Sequence, residues 1–457
     1  MGNEPWNPQI FREYDIRGEV ERDFTPEVLD RLAAAVGTYF HRRGCREVAM
    51  GRDVRPSSPR LRDSLAAGLA AAGLEVRDLG VVPTPALYCA ILDLPADAGV
   101  MVTGSHNPPA YNGIKLQVGP EPVFGAAIQE IRRLGEAEDF ATGGGKIVEI
   151  AAFLDRYRHF LRERLRPPGR HLRVVVDSGN GVAGLVAPDL YRSLGYDVVE
   201  LFSEPDGSFP HHHPDPTVAA NLTDLQAAVL REGADLGLAF DGDADRVGAV
   251  DERGRILWGD ELLILFSRAV LQERPGATIV GDVKCTDRWA VDVERRGGRA
   301  LWNATGHALL KDRLRRERAA LAGEWSGHFC FADRFPGFDD GIYAGGRLLE
   351  IVAAGERPLS SMLDDLPPAV GVPEIRLDCP DDKKFAVVDA VRKRLAGRYD
   401  TILLDGVRVS YPEGWALVRA SNTQPALVLR FEARNEASLR RIREEVEGLL
   451  GELMRAP

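Results

Sequence analysis

Apolar residues recur along the chain with helical and strand spacing, and the switches between the two mark three stretches of like order and a fourth of another kind. In the first stretch, 46–50, 74–79 and 99–102 read as strands, and 59–73 and 85–92 as helices between them. Residues 114–118 follow in strict alternation, with Ile114, Leu116 and Val118 on one face and Lys115 on the other, where a lysine is ordinarily solvated. The second stretch repeats the order over 171–177, 182–194, 197–202, 222–233 and 235–240, with 182–194 expected as one helix. The third repeats it over 278–281, 289–297, 299–302 and 308–318. No obvious residue identity links the three, so the repeat is one of topology. From about residue 371, two apolar strands, 415–419 and 426–432, precede a helix with Leu439, Ile442, Val446, Leu449, Leu450 and Leu453 on one stripe. The fold expected is α/β: three topologically related α/β domains plus a C-terminal α+β domain. Joins near Gly145, Gly254 and Leu366-Pro367-Pro368 put the domains at 1–147, 148–254, 255–368 and 369–457.

Each stretch ends in a chemically loaded loop, and open α/β sheets bind ligands beyond the carboxyl ends of their strands, so the loops can converge on one cleft. The first is Thr103-Gly104-Ser105-His106-Asn107-Pro108. Its glycine permits close approach and Asn-Pro prevents a helix from starting, which displays the Ser105 hydroxyl as a nucleophile. An ordinary turn would use the same residues. The second loop, Asp241-Gly242-Asp243-Ala244-Asp245-Arg246, alternates three carboxylates that can gather on one hard cation, favouring Mg²⁺ over zinc or copper. Asp241, Asp243, Asp245 and Glu252 also match an EF-hand, but Arg246 stands where that loop needs glycine, and the flanks read as strands. The third, Gly323-Glu324-Trp325-Ser326-Gly327-His328, offers Glu324 and Ser326 to sugar hydroxyls. In the fourth stretch Arg419 with Ser421, Asn422 and Thr423 suits a phosphate dianion, although a hairpin turn would also use Asn422 and Thr423.

Two further patterns compete with these. Gly179-Asn180-Gly181-Val182-Ala183-Gly184 is a literal GxGxxG after a strand, with Glu200 near the place of a ribose-binding acid. Alone it supports a dinucleotide-dependent oxidoreductase. His211-His212-His213-Pro214 looks like a metal cluster, but consecutive side chains of extended chain face opposite ways, and no ligand is assigned there.

Composition narrows the choice. The 457 residues suffice for about three domains. A formal charge of −11 argues against nucleic acid or anionic membrane as partner, so an anionic substrate needs a local cationic pocket. Five scattered cysteines outside CxxC spacing point to reduced thiols. The N-terminus lacks a targeting pattern, and no apolar stretch approaches the roughly 20 residues of a membrane span, so a cytoplasmic chain is expected.

Together the four loops resemble, in identity and order, those of the α-D-phosphohexomutase superfamily, over essentially the whole chain. The resemblance rests on the serine loop with Tyr111-Asn112-Gly113-Ile114-Lys115, on DGDxDR at Asp241 to Arg246, on GExSGH at Gly323 to His328, and on RxSNTxP at Arg419 to Pro425. SGH after Glu324 and SNT after Arg419 resemble the phosphomannomutase/phosphoglucomutase branch. This implies four domains around a central active-site cleft, a phosphorylated Ser105, and one Mg²⁺ on Ser105, Asp241, Asp243 and Asp245. It also implies interconversion of hexose 1-phosphate and hexose 6-phosphate (mannose, glucose or both) through hexose 1,6-bisphosphate, with phosphoglucosamine as the runner-up. By the same resemblance Ser105, Arg17, Lys115, Arg246 and His307 are catalytic, Lys115 and His307 both remaining candidates for the proton relay. Tyr14, His106, Lys284, Glu324, Ser326, His328, Arg419, Ser421, Asn422 and Thr423 would contact the phosphosugar, and no obligate protein partner is evident. Two positions depart from the family's pattern: Ala244 replaces a common glycine, and Trp325 replaces a methionine or glutamine beside Glu324, leaving hexose preference open. A non-catalytic phosphosugar- or Ca²⁺-binding protein is the remaining rival class.

Overall fold

A central strand flanked by two parallel neighbours, the second of them reversed by a hairpin, is the unit from which most of the chain is built. In the computed structural model, which describes residues 6–421 and 425–455, the first unit centres on Glu47–Arg52 between Glu75–Val81 and Ala98–Val102, and Tyr111–Val118 returns antiparallel. The second centres on Arg173–Asp177 between Asp197–Leu201 and Leu236–Phe240, with Val247–Asp251 returning. The third centres on Thr278–Asp282 between Arg299–Asn303 and Leu321–Gly323, with Phe329–Phe331 returning. The repeat expected from the apolar pattern is therefore present as topology. The three loaded loops occupy the same place in it, the turn into the returning strand.

The parallel strands are apolar on both faces because helices cover both faces. One continuous core runs from Leu87 and Tyr88 in the first unit through Tyr157 and Val176 in the second to Phe329 and Tyr343 in the third. Residues 182–194 are not the single helix expected. They form a 3₁₀ turn, Val182–Leu185, and an α-helix, Ala187–Ser193, because Gly184 is pressed onto the Ser203 backbone and Pro188 has no amide with which to continue a helix. The helix Pro26–Arg42 was not among the elements expected from the apolar pattern. Thr25 caps it by accepting from the Val28 amide, and Leu29, Leu32 and Val36 are buried along it.

The last unit differs, as expected: an antiparallel sheet in which Ala426–Ala433 pairs with Gly414–Ala420, covered by Glu436–Arg455 and Lys384–Leu395, with its own core. It docks on the third unit through buried groups. Arg408 donates to Val283 O and to Asp287, Arg430 donates to Asp260 Oδ2 at 3.1 Å, and Thr286 Oγ1 donates to Glu432 at 2.7 Å. It meets the first unit through the ion pair Arg12–Asp381 at 3.9 Å. Among the described residues no helix is long and apolar enough to cross a membrane.

Candidate active site

Ser105 occupies a backbone conformation that side-chain-bearing residues avoid, with φ at 47°, at a cost of about 1–2 kcal/mol. What holds it there is a residue the sequence did not single out. Arg55, fully buried, uses all five of its side-chain N–H groups: on Asp53 Oδ2 and on the carbonyls of Ser105, Asn107, Pro108 and Tyr111, each within 3.1 Å. Gly104 is obligatory beside it, since a Cβ there would lie 2.5 Å from the guanidinium carbon. The Ser105 Oγ donates to Asp241 Oδ2 at 2.7 Å and lies 3.2 Å from His106 Nδ1. Burial, with Arg246 and Arg17 nearby, holds the His106 imidazole well below its usual pKa and therefore neutral.

The aspartate loop lies directly beneath. Asp241, Asp243 and Asp245 are fully buried and each presents one oxygen within 4.8 Å of the others. Asp243 Oδ1 and Asp245 Oδ1 have no hydrogen-bond partner, a costly arrangement for buried carboxylates unless a cation completes it, and oxygen-only donors fit Mg²⁺. Lys115, on a face where a lysine is ordinarily solvated, is 5% exposed, because this loop covers that face of the strand. Its ammonium lies 2.7 Å from Asp243 Oδ2 and 2.5 Å from Asp245 Oδ2. Burial pushes the Lys115 pKa down, but the two carboxylates outweigh it and hold the ammonium charged. Ala244 sits at φ 62°, which accounts for the glycine common at this place. Ala244→Gly relieves about 1–2 kcal/mol of strain, loses a buried methyl worth about 0.8 kcal/mol and adds unfolded-state entropy worth about 0.4–1 kcal/mol. Chemical denaturation should find the variant within about 1 kcal/mol of the parent, at unchanged turnover.

Both competing patterns serve as packing. Gly181 lies against the Gly242 backbone, Val182 N donates to Gly242 O at 3.2 Å, and Glu200 pairs with Arg192 at 2.6 Å, so the GxGxxG turn buttresses the aspartate loop. His212 pairs with Asp177 at 3.1 Å, and His213 hydrogen-bonds to His106 O. The EF-hand is excluded by Glu252, which accepts from the Ser360 amide and hydroxyl instead of facing the aspartates.

Four units contribute to one cleft. Tyr14, Arg17, Ser105, His106 and Lys115 come from the first, Arg246 from the second, Lys284, His307, Glu324, Ser326 and His328 from the third, and Arg419 and Ser421 from the last. Asn422 and Thr423 lie outside the described residues. Sequence reasoning missed Arg376 and Glu374 on the same wall. Including Arg376, six cations line the cleft of this acidic chain, supplying the cationic pocket an anionic substrate requires. Burial pushes the Glu374 carboxyl up, but Lys284, Arg376 and Arg419 outweigh it and bring it to about 2. Glu324 accepts from Gly306 N at 2.6 Å and from Ser326 Oγ at 2.8 Å, which fixes its carboxylate at the cleft wall. Arg419 donates from Nε to Asp405 at 2.8 Å, and among the described residues its terminal nitrogens have no hydrogen-bond partner.

A buried carboxylate outside every recognised motif, Asp339, lies beside both cleft histidines. Arg246 Nε donates to His328 Nε2 at 2.9 Å, so the His328 proton is assigned to Nδ1, which lies 3.1 Å from Asp339 Oδ2. His307 Nδ1 lies 3.7 Å from the same oxygen, and Lys311 Nζ donates to Asp339 Oδ1 at 2.8 Å. Burial, with Lys311 close by, holds His307 well below its usual pKa.

Four family profiles match in order: phosphoglucomutase/phosphomannomutase α/β/α domains I, II and III over residues 8–142, 153–254 and 258–370, and the C-terminal domain over 374–449. The chain belongs to the phosphoglucomutase/phosphomannomutase family. It is a phosphohexomutase, an intramolecular phosphotransferase. The phosphomannomutase/phosphoglucomutase of Pseudomonas aeruginosa is 47% identical over 435 residues, covering 95% of this chain and 94% of that one. The phosphoglucomutase of Neisseria meningitidis serogroup A is 40% identical over 447 residues, covering 96% of each. A crystal structure of a phosphoglucomutase/phosphomannomutase family protein from Burkholderia thailandensis superposes with a TM-score of 0.91 at 41% identity, covering 99% of both chains. Of the residues that support this phosphohexomutase's cleft from behind its lining, Arg55 and Asp339 escaped the sequence reading because neither stands in a reactive loop. The only signal available was the run Gly51-Arg52-Asp53-Val54-Arg55 after the first predicted strand, a charged cluster where the chain turns inward.

Proposed function

We propose that this phosphohexomutase interconverts the 1- and 6-phosphates of mannose, glucose or both through phosphorylated Ser105 and a hexose 1,6-bisphosphate. The observation that carries the reading is the Ser105 hydroxyl, displayed by a strained backbone, 2.7 Å from an aspartate of a three-carboxylate cluster, inside a cleft with six cations. Ser105, Asp241, Asp243 and Asp245 would hold one Mg²⁺, which supplies charge neutralisation and Lewis acidity at the phosphoryl group. Phosphoryl transfer is governed by positioning and by neutralising charge on the equatorial oxygens, and Arg17, Arg246 and Lys115 bring cations to that place. The neutral imidazole of His307 accepts the proton of the attacking sugar hydroxyl, with the Asp339 carboxylate 3.7 Å from its Nδ1. Glu324, Ser326 and His328 face the sugar ring. Arg419 and Ser421, with Asn422, Thr423, Tyr14 and Lys284, hold the phosphate at the end that is not reacting.

Coupled assays of glucose 1-phosphate and mannose 1-phosphate conversion, with Mg²⁺ and a trace of the matching 1,6-bisphosphate, test the reading. Turnover of at least one sugar that is lost on chelation is expected. Conversion of glucosamine 1-phosphate alone would replace the hexose assignment by the phosphoglucosamine one.

A further inference from the structure

Behind the cleft, where the first unit meets the third, lies a second cavity of about 340 Å³, within the size range of small-ligand sites. Its wall is apolar, formed by Ile91, Leu92, Leu314 and Phe338. The exposed Arg274, Arg315 and Arg318 and the buried Lys311 and Tyr88 also line it. Among the described residues no carboxylate lines it, in a chain with 69 acidic against 58 basic side chains.

Two of these cations have capacity to spare. Lys311 is 6% exposed, and its ammonium, with three protons, donates to Asp339 at 2.8 Å and to the Tyr88 hydroxyl at 3.1 Å. One N–H of a buried ammonium beside a cavity is left over. The Arg318 side chain makes no hydrogen bond or ion pair among the described residues, whereas Arg315 pairs with Glu121 and Asp312, and Arg274 donates to the Ala332 and Asp333 carbonyls. Favourable placement at a helix carboxyl end accounts for Arg313, Arg315 and Arg316 in the last turn of the helix His307–Arg316. It does not account for Arg318, which lies beyond that helix at φ 50°.

We propose that this cavity binds a small amphiphilic anion, an aryl or alkyl phosphate or carboxylate, and that the occupant modulates turnover through the Lys311–Asp339 ion pair. The apolar part would lie against Phe338 and Leu314, with the charged end between Arg318 and the free N–H of Lys311. An anion there draws on the ammonium that otherwise serves Asp339, whose other oxygen lies 3.1 Å from His328 Nδ1 and 3.7 Å from His307 Nδ1 in the cleft. The binding half of the proposal stands alone. The effect on turnover rests on the phosphotransfer reading of the cleft.

Calorimetric titration with phenylphosphonate, which carries no transferable phosphoryl group, reads binding; benzoate serves as the carboxylate arm and inorganic phosphate as the anion without an apolar part. Binding of phenylphosphonate should persist when glucose 1,6-bisphosphate saturates the cleft, and should exceed that of inorganic phosphate. Arg318→Glu should weaken it by about tenfold or more while leaving turnover without the probe unchanged. At saturating phenylphosphonate, kcat should fall with KM nearly constant. Displacement by the bisphosphate, equal affinity in Arg318→Glu, or equal affinity for inorganic phosphate would overturn the site. Binding without any change in kcat would overturn the coupling. Should no hexose phosphate be turned over at all, calorimetry still reads the cavity, so the two failures are distinguishable.

Discussion

Ser105→Ala is expected to lower mutase turnover by a factor on the order of 10⁴ or more, because removing a nucleophile abolishes the covalent route and leaves only binding and charge stabilisation. Phosphosugar affinity should change little, since the cations and Glu324 that line the cleft are untouched. Removing the hydroxyl also deletes the donor to Asp241, and alanine keeps the same left-handed strain, so stability should shift by about 1 kcal/mol at most. Mass spectrometry supplies the decisive second reading. The parent protein incubated with the 1,6-bisphosphate should gain one phosphoryl group on Ser105, and the variant none. Turnover within tenfold of the parent, or a phosphoryl group on another residue, would remove Ser105 from its role.

Arg55→Lys should be nearly as damaging, although Arg55 lies outside the cleft. The guanidinium serves five acceptors with five N–H groups, and four of those acceptors are carbonyls between Ser105 and Tyr111. A lysine offers three donors at one point and cannot reach acceptors spread from Asp53 to Tyr111, and each of the Ser105 and Asn107 carbonyls it fails to serve costs about 1–3 kcal/mol. Thermal unfolding should fall by roughly 5–10 °C, and kcat should fall at least tenfold while KM holds, because the loop that displays Ser105 loses its fixed shape. A variant that melts early yet turns over normally would show that Arg55 supports the fold and not the serine.

These two residues mark the boundary of what the sequence can tell. Ser105, the aspartates, Glu324 and Arg419 were legible because each sits in a short loop of unusual composition after an apolar strand, and the order of those loops is itself informative. Arg55 was not, because its partners are main-chain carbonyls some fifty positions away, which leave no side-chain signature. For Lys115 the apolar pattern left two readings open, a solvated lysine or one serving the serine loop, for a related reason. Alternation assigns a residue to a face of its strand but is silent about what covers that face, and here the aspartate loop of another unit does so. Residues 182–194 show the same limit at short range: helical spacing was present, but the close approach of Gly184 to Ser203 decided the backbone.

The attachments of the C-terminal unit are lopsided. Towards the third unit it is fastened by buried, charge-assisted bonds, of which losing a single partner typically costs about 3–5 kcal/mol. Towards the first unit it is held by Arg12–Asp381, a partly exposed pair at 3.9 Å of the kind worth about 0–1 kcal/mol. One side of the cleft is thus a hinge and the other a catch. A swing about the third unit would open the seam beside the serine loop, and traffic of a charged sugar to Ser105 is then expected between the first and last units. Its rate should respond to ionic strength at that seam while the hinge side stays shut.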